Sequence, residues 1–213
     1  MPEGTIENLG ELRRAQRAFG SDGHFEVARF EKRSKDLERA DERWTIAGNP
    51  FTGNQELSGL KILMTMINSW DLGGTRNLRI VQVLKDGEEP ELRYLVSDLG
   101  ASFGRMDQAA LFNTRSKWNL ADFQKQKFID GVRNRSLDLH YAGDGEINLV
   151  PLDHARWFAG LVGQLSPQQI ARAFESAGGS PAEVKGYQQK LIDKIAELKA
   201  VVASLPAETA RRD

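Results

Sequence analysis

The chain has 213 residues, 40% of them hydrophobic and 28% charged, with a formal net charge of −1 at neutral pH. That length suffices for one full domain with a sizeable core, and the near-zero charge supplies no basic field for nucleic acid. The absence of cysteine removes disulfides, thiolate metal sites and cysteine nucleophiles together, so a metal site must use oxygen ligands; His24, His140 and His154 lack the spacing of a zinc helix.

Residues 1–24 read as a polar N-terminal segment with a short helix from Ile6 to Phe19, on which Ile6, Leu9, Leu12 and Phe19 form a narrow apolar stripe. Residues 25–205 form the main domain, and 206–213 a disordered tail. Phe25, Val27 and Phe30 alternate with polar residues as in a short strand, and EKRSKDLERADERW follows as a charged connector. Trp44 and the Asn49-Pro50-Phe51 turn lead into a helix over Gln55 to Ser69. Its apolar residues Leu57, Leu60, Leu63, Met64 and Ile67 recur at three- and four-residue spacing, with Thr52 and Gln55 placed as N-cap and N3 of a capping box. Gly73-Gly74 ends regular structure. Leu78, Ile80 and Val83 then enter a hairpin whose turn spans Lys85 to Pro90 and whose return strand carries Leu92, Tyr94 and Val96. The two strands are predicted near Leu78–Leu84 and Leu92–Ser97.

After Gly104, RMDQAALFNTRSKWN reads as an irregular loop, and Ala121 to Asp130 as wholly or partly helical. Leu137, Leu139 and Tyr141 alternate in a strand that makes a small second hairpin with Ile147 and Leu149. Three helices follow: Leu152–Gln164, Pro167–Ala177 with Ser166 and Gln169 as a capping box, and Pro181–Ser204 with Ser180 and Glu183 as another. Leu191, Ile195, Leu198 and Val202 form the buried face of the last helix. The expected core comprises Leu63, Met64, Ile67, Val83, Val96, Trp157, Phe158, Leu161, Ile170 and Phe174. The fold class is mainly α with a small antiparallel β hairpin, α+β.

Closing the first hairpin brings its two ends side by side, which places Asp71, Asn77 and Asp98 near one another. Two carboxylates and an amide at the mouth of a hairpin suggest a divalent-cation site. The order of helix, Asp loop with a nearby Asn, hairpin and Asp-x-Gly resembles the catalytic core of protein-kinase-like phosphotransferases. More closely, NPFTGNQELSGL, INSWDL and VSDLGASFG resemble a bacterial family associated with atypical kinase-like folds such as HipA and CotH, over the span from Trp44 to Leu198.

The resemblance implies the helical C-terminal lobe of that fold, with Asp71 as catalytic base, Asn77 and Asp98 as cofactor- and metal-binding residues, and Mg²⁺ and ATP as cofactors. The acceptor it implies is an unidentified protein or small molecule. Trp70 stands where ordinary kinases carry Arg, Leu99 where they carry Phe, and Asn77 follows Asp71 by six residues instead of five. Nothing before Trp44 supplies the strands, glycine-rich loop and lysine that cover ATP, so the expected phosphotransferase site is incomplete. The alternatives are a catalytically inactive binding module and a purely structural helical domain. No apolar run approaches the ~20 residues of a membrane span and the charged start lacks the core of a signal peptide, which predicts a cytoplasmic protein without a membrane partner.

Overall fold

The computed structural model describes residues 37–72, 77–84, 89–107, 115–143 and 147–204. The chain divides into Met1–Leu37 and Glu38–Asp213, and apart from Leu37 every described residue belongs to the second unit. The predicted helix Ile6–Phe19, the strand near Phe25–Phe30 and the tail from 206 onward lie outside the described residues. The elements are β1 (Leu37–Arg43), α1 (Gln55–Met66), β2 (Leu78–Val83), β3 (Glu91–Val96), α2 (Leu120–Lys125), β4 (Ile129–Arg133), β5 (Ser136–Leu139), β6 (Leu149–Pro151), α3 (Leu152–Val162), α4 (Pro167–Ser176) and α5 (Pro181–Ala203). They make an α+β fold with two three-stranded sheets, ordered β1-β2-β3 and β4-β5-β6. No described helix is long and apolar enough to cross a membrane.

The first sheet contains the predicted hairpin, with β2 and β3 antiparallel and Leu78 opposite Val96. Leu78 and Ile80 are buried, and alternation puts Val83 on the other face, half-buried, where a core position was expected. The charged connector is corrected too: its second half is strand β1. In the second sheet β5 is central, pairing with β4 on one side and β6 on the other. Only Leu120–Lys125 is helical in the stretch expected to be a helix up to Asp130, and Ile129 already starts β4. The β4–β5 turn is Asn134-Arg135, both at positive φ, the two-residue geometry that matches strand twist.

Helix α1 starts differently from expectation. Its N-cap is Asn54, which makes no side-chain cap bond, and the Thr52 hydroxyl donates instead to Asn49 O at 3.0 Å. Asn49 organises this entry, its Oδ1 accepting from Phe51 N at 2.8 Å and its amide donating to Thr45 O and Ile46 O. Helices α4 and α5 carry both expected capping boxes, each with Pro in the first turn. Helix α4 stops in a left-handed Gly178 at φ 85°, with Gly179 N donating to Phe174 O. Ser166→Ala, which removes the bond to Gln169 N, is expected to cost about 1 kcal/mol in urea denaturation.

Three apolar clusters hold the domain. One joins α1, the second sheet, α3 and α5 through Ile62, Met66, Leu137, Val150, Ala155, Ala159 and Leu198. Another packs Trp44, Leu57, Met64, Leu78 and Met106 around the hairpin. The third is aromatic, with Phe123, Phe174 and Tyr187 closing over Phe103. Met64, Ile67, Ile170 and Phe174 are buried as expected, whereas Leu63 is 37% and Leu161 46% exposed. Two clusters grip α1 from different sides, leaving to solvent the stripe of Glu56 and Leu63, seven residues apart. Leu161 likewise lies off the Ala155, Ala159 and Val162 face of α3. Val96, Trp157 and Phe158 are half-buried.

Candidate functional site

The predicted site begins where α1 ends, and the ending is fully accounted for in hydrogen bonds. Asn68 adopts the left-handed conformation at φ 54°, its N–H donates to Thr65 O, and Ser69 N–H reaches back to Met64 O at 2.8 Å, a Schellman motif with Asn in the usual place of Gly. The next two carbonyls would be orphans of the helix end. Met66 O accepts from the Lys194 ammonium of α5 at 2.8 Å, and Ile67 O accepts from Phe103 N at 2.8 Å. The Asn68 side chain completes the junction, accepting from Lys194 Nζ at 2.7 Å and donating to Gly104 O at 2.7 Å.

The segment that follows Asp98 is thus bound along α1's exit. Trp70 N donates to Ala101 O, Trp118 N to Ser102 O and Asn119 N to Phe103 O. Phe103 and Trp118 both hold positive φ, a conformation costing about 1 kcal/mol or more for bulky residues, and the aromatic cluster around their rings fixes them there. Gly104 has no alternative, because a Cβ would collide with the Ser116 carbonyl. The hydroxyls of Ser69 and Ser102 are buried and find no hydrogen-bond partner among the described residues.

Asp71, Asn77 and Asp98 are brought together, and Asn77 is what joins them. Its Nδ2 donates to Asp71 O and to Asp98 O, both at 2.7 Å, and its Oδ1 accepts from Asp98 N at 2.6 Å and from Ser97 Oγ at 3.3 Å. Both donors and both lone pairs of the amide are engaged, and the side chain is buried. Asp98 is exposed, with Oδ1 accepting from Gly100 N at 2.7 Å in an Asx turn, and Asp71 is half-buried. Asn77 therefore does not fit the role of metal ligand: its oxygen has no lone pair left for a cation. Among the described residues no group of three or more His, Asp or Glu is arranged to hold a metal ion.

Asp122 accepts from Ser116 Oγ at 2.7 Å and pairs with Arg105, and these contacts, Ser116 first, hold its carboxyl below the usual range. Burial pushes the Tyr187 phenol up to about 12. Arg115 lies over the Trp70 ring, 5.1 Å from its centroid.

The residue that sequence reasoning missed is Lys194. It is buried among Phe123 and Phe128, 4.6 and 5.5 Å from their ring centroids, and burial holds its ammonium well below the ordinary lysine value. A signal was present, since Lys194 interrupts the apolar series Tyr187, Leu191, Leu198, Val202 at helical spacing.

Fold and node define an α+β domain in which a hairpin is clasped to the end of a buried helix. No protein-family model matches the chain, and neither does any curated protein or solved structure. The kinase-like resemblance accordingly rests on the residues quoted for it.

Proposed function

We propose that this chain is a non-catalytic binding module that keeps the layout of a phosphotransferase-like helical lobe around Asp71, Asn77 and Asp98. The supporting observation is the Asn77 amide, whose four hydrogen-bonding positions are spent on Asp71 O, Asp98 O, Asp98 N and Ser97 Oγ. Phosphoryl transfer depends on positioned charge, and Mg²⁺ demands oxygen ligands in near-octahedral array. A saturated amide cannot join that array, so Asn77 reads as the clasp of the hairpin. The binding surface in this reading is the β2–β3 hairpin with its exit, where Leu84, Leu92, Leu95 and Leu99 are all exposed. Apolar side chains exposed along the hairpin, on both of its faces, suit a polypeptide partner better than a phosphate.

A second reading, an Mg-nucleotide phosphotransferase, draws on one observation: the main chains of Asp71 and Asp98 meet on a single amide while the Asp98 carboxylate faces solvent. Calorimetric titration with Mg²⁺ or Mn²⁺, with and without ATP, separates the two. Equal heats in wild type and Asp98→Asn are expected. Divalent binding lost in Asp98→Asn, together with Mg²⁺-dependent phosphate transfer lost in Asp71→Asn, would establish the phosphotransferase and remove the module.

A further inference from the structure

Among the described residues strand β3 is the outer strand of its sheet, and its hydrogen-bonding phase can be read from one contact. Ser97 N–H donates to Asn77 O at 2.8 Å, and residue 77 faces residue 97 in the register that sets Leu78 against Val96. Directly opposed residues that exchange such bonds alternate along an antiparallel pair, so residues 91, 93 and 95 bond to β2. The main-chain groups of Leu92, Tyr94 and Val96 consequently point away from β2, towards the outer edge. Among the described residues no strand pairs with that outer edge.

Edges of this kind are normally guarded by charge on the exposed faces, by bulges or by covering segments. Here Leu92 is 50% exposed on one face and Leu95 39% on the other. The charges present, Glu91 and Arg93, neutralise each other at 2.9 Å on the same face. Arranged in this order, they are also self-complementary.

We infer that β3 pairs antiparallel with β3 of a second copy of this chain, about a two-fold axis at Leu92. This rests on the reading of the hairpin as a binding surface. The register follows from the residues. Leu92 exchanges both main-chain bonds with Leu92 of the second copy, and each Tyr94 N–H donates to the Pro90 carbonyl opposite. Pro90, lacking an N–H, ends the ladder. On the face carrying the charges, Glu91 of each copy stands opposite Arg93 of the other, which gives four alternating charges across the axis. On the other face the two Leu92 side chains meet. A pairing centred on Tyr94 would set Arg93 against Leu95 and lose both cross-strand ion pairs.

Sedimentation equilibrium of the wild-type chain tests this, and a concentration-dependent monomer–dimer equilibrium is expected. Glu91→Arg and Arg93→Glu, both at exposed positions, should each weaken dimerisation about tenfold or more by placing like charges across the axis. An equimolar mixture of the two single variants should associate again, as should the double variant alone. Circular dichroism would verify that each variant is folded. A wild type that stays monomeric throughout, or a dimer indifferent to both single exchanges, overturns the inference. The module reading is judged separately, by the divalent titration.

Discussion

Lys194→Met is expected to lower the unfolding free energy by about 2–4 kcal/mol in urea denaturation at neutral pH. Two effects oppose each other in this substitution. Removing the buried ammonium relieves its desolvation cost, and a thioether of similar length fits between Phe123 and Phe128. Against that, Met66 O and Asn68 Oδ1 remain buried and lose their donor. The acceptors cannot be removed with the lysine, one being main chain and the other tied through its amide to Gly104 O. Each unsatisfied buried acceptor costs about 1–3 kcal/mol, so the loss outweighs the relief.

The same lysine gives the protein a pH signature. Burial, and then the like charge of Lys190, hold its folded-state pKa well below the ordinary value, with Glu197 opposing. Between that lowered value and about 10.4, where an unfolded lysine titrates, the unfolded chain binds more protons than the folded one. Stability from this group is fully present above the unfolded value and is lost as pH falls towards the folded one. The difference in unfolding free energy between wild type and Lys194→Met should therefore increase as pH is raised through this window. A difference that is flat with pH would mean that the lysine keeps an ordinary proton affinity.

Asn77→Asp is the second large effect, an expected loss of about 3 kcal/mol despite almost unchanged shape. The amide donates to two carbonyl oxygens and accepts from one N–H. A carboxylate retains the acceptance and converts both donations into close approaches between oxygens, in a buried position beside Asp71 and Asp98. The outcome also discriminates between roles. A metal ligand tolerates exchange of an amide for a carboxylate and commonly gains from the added charge, whereas a clasp fails. Thermal and urea unfolding of Asn77→Asp with and without Mg²⁺ would distinguish them, with no rescue by the cation expected.

What could be read in advance follows the range of the forces concerned. Helices α4 and α5 were legible because Ser166, Gln169, Ser180 and Glu183 act within one turn, and the β2–β3 hairpin because alternation of apolar residues reports a sheet face directly. Strand β4 was hidden: Phe128 and Ile129 follow a short helix with no break of composition, and the turn uses Asn134-Arg135 instead of the Asn-Gly that signals such hairpins. The proximity of Asp71, Asn77 and Asp98 followed from topology, but not the fate of the amide. Whether an Asn side chain faces a cation or its neighbours' main chain is decided over tenths of an ångström, beyond what spacing can convey. Lys194 was overlooked for a related reason, since its acceptors come from another element and its burial is set by tertiary packing.

The reach of α5 has a consequence for how the chain is made. Asn77 joins partners 6 and 21 residues away, so the hairpin can close soon after it leaves the ribosome. The Lys194 bonds to Met66 and Asn68 span 128 and 126 positions, and that of Tyr187 to Phe103 spans 84. Until α5 emerges, the exit of α1 has no ammonium to receive its carbonyls, and Phe103 lacks the ring that helps to hold it left-handed. The domain therefore cannot be completed from its N-terminal side as synthesis proceeds. Among the described elements α5 supplies its contacts last, and a chain stalled before Tyr187 holds a clasped hairpin on an unfinished core.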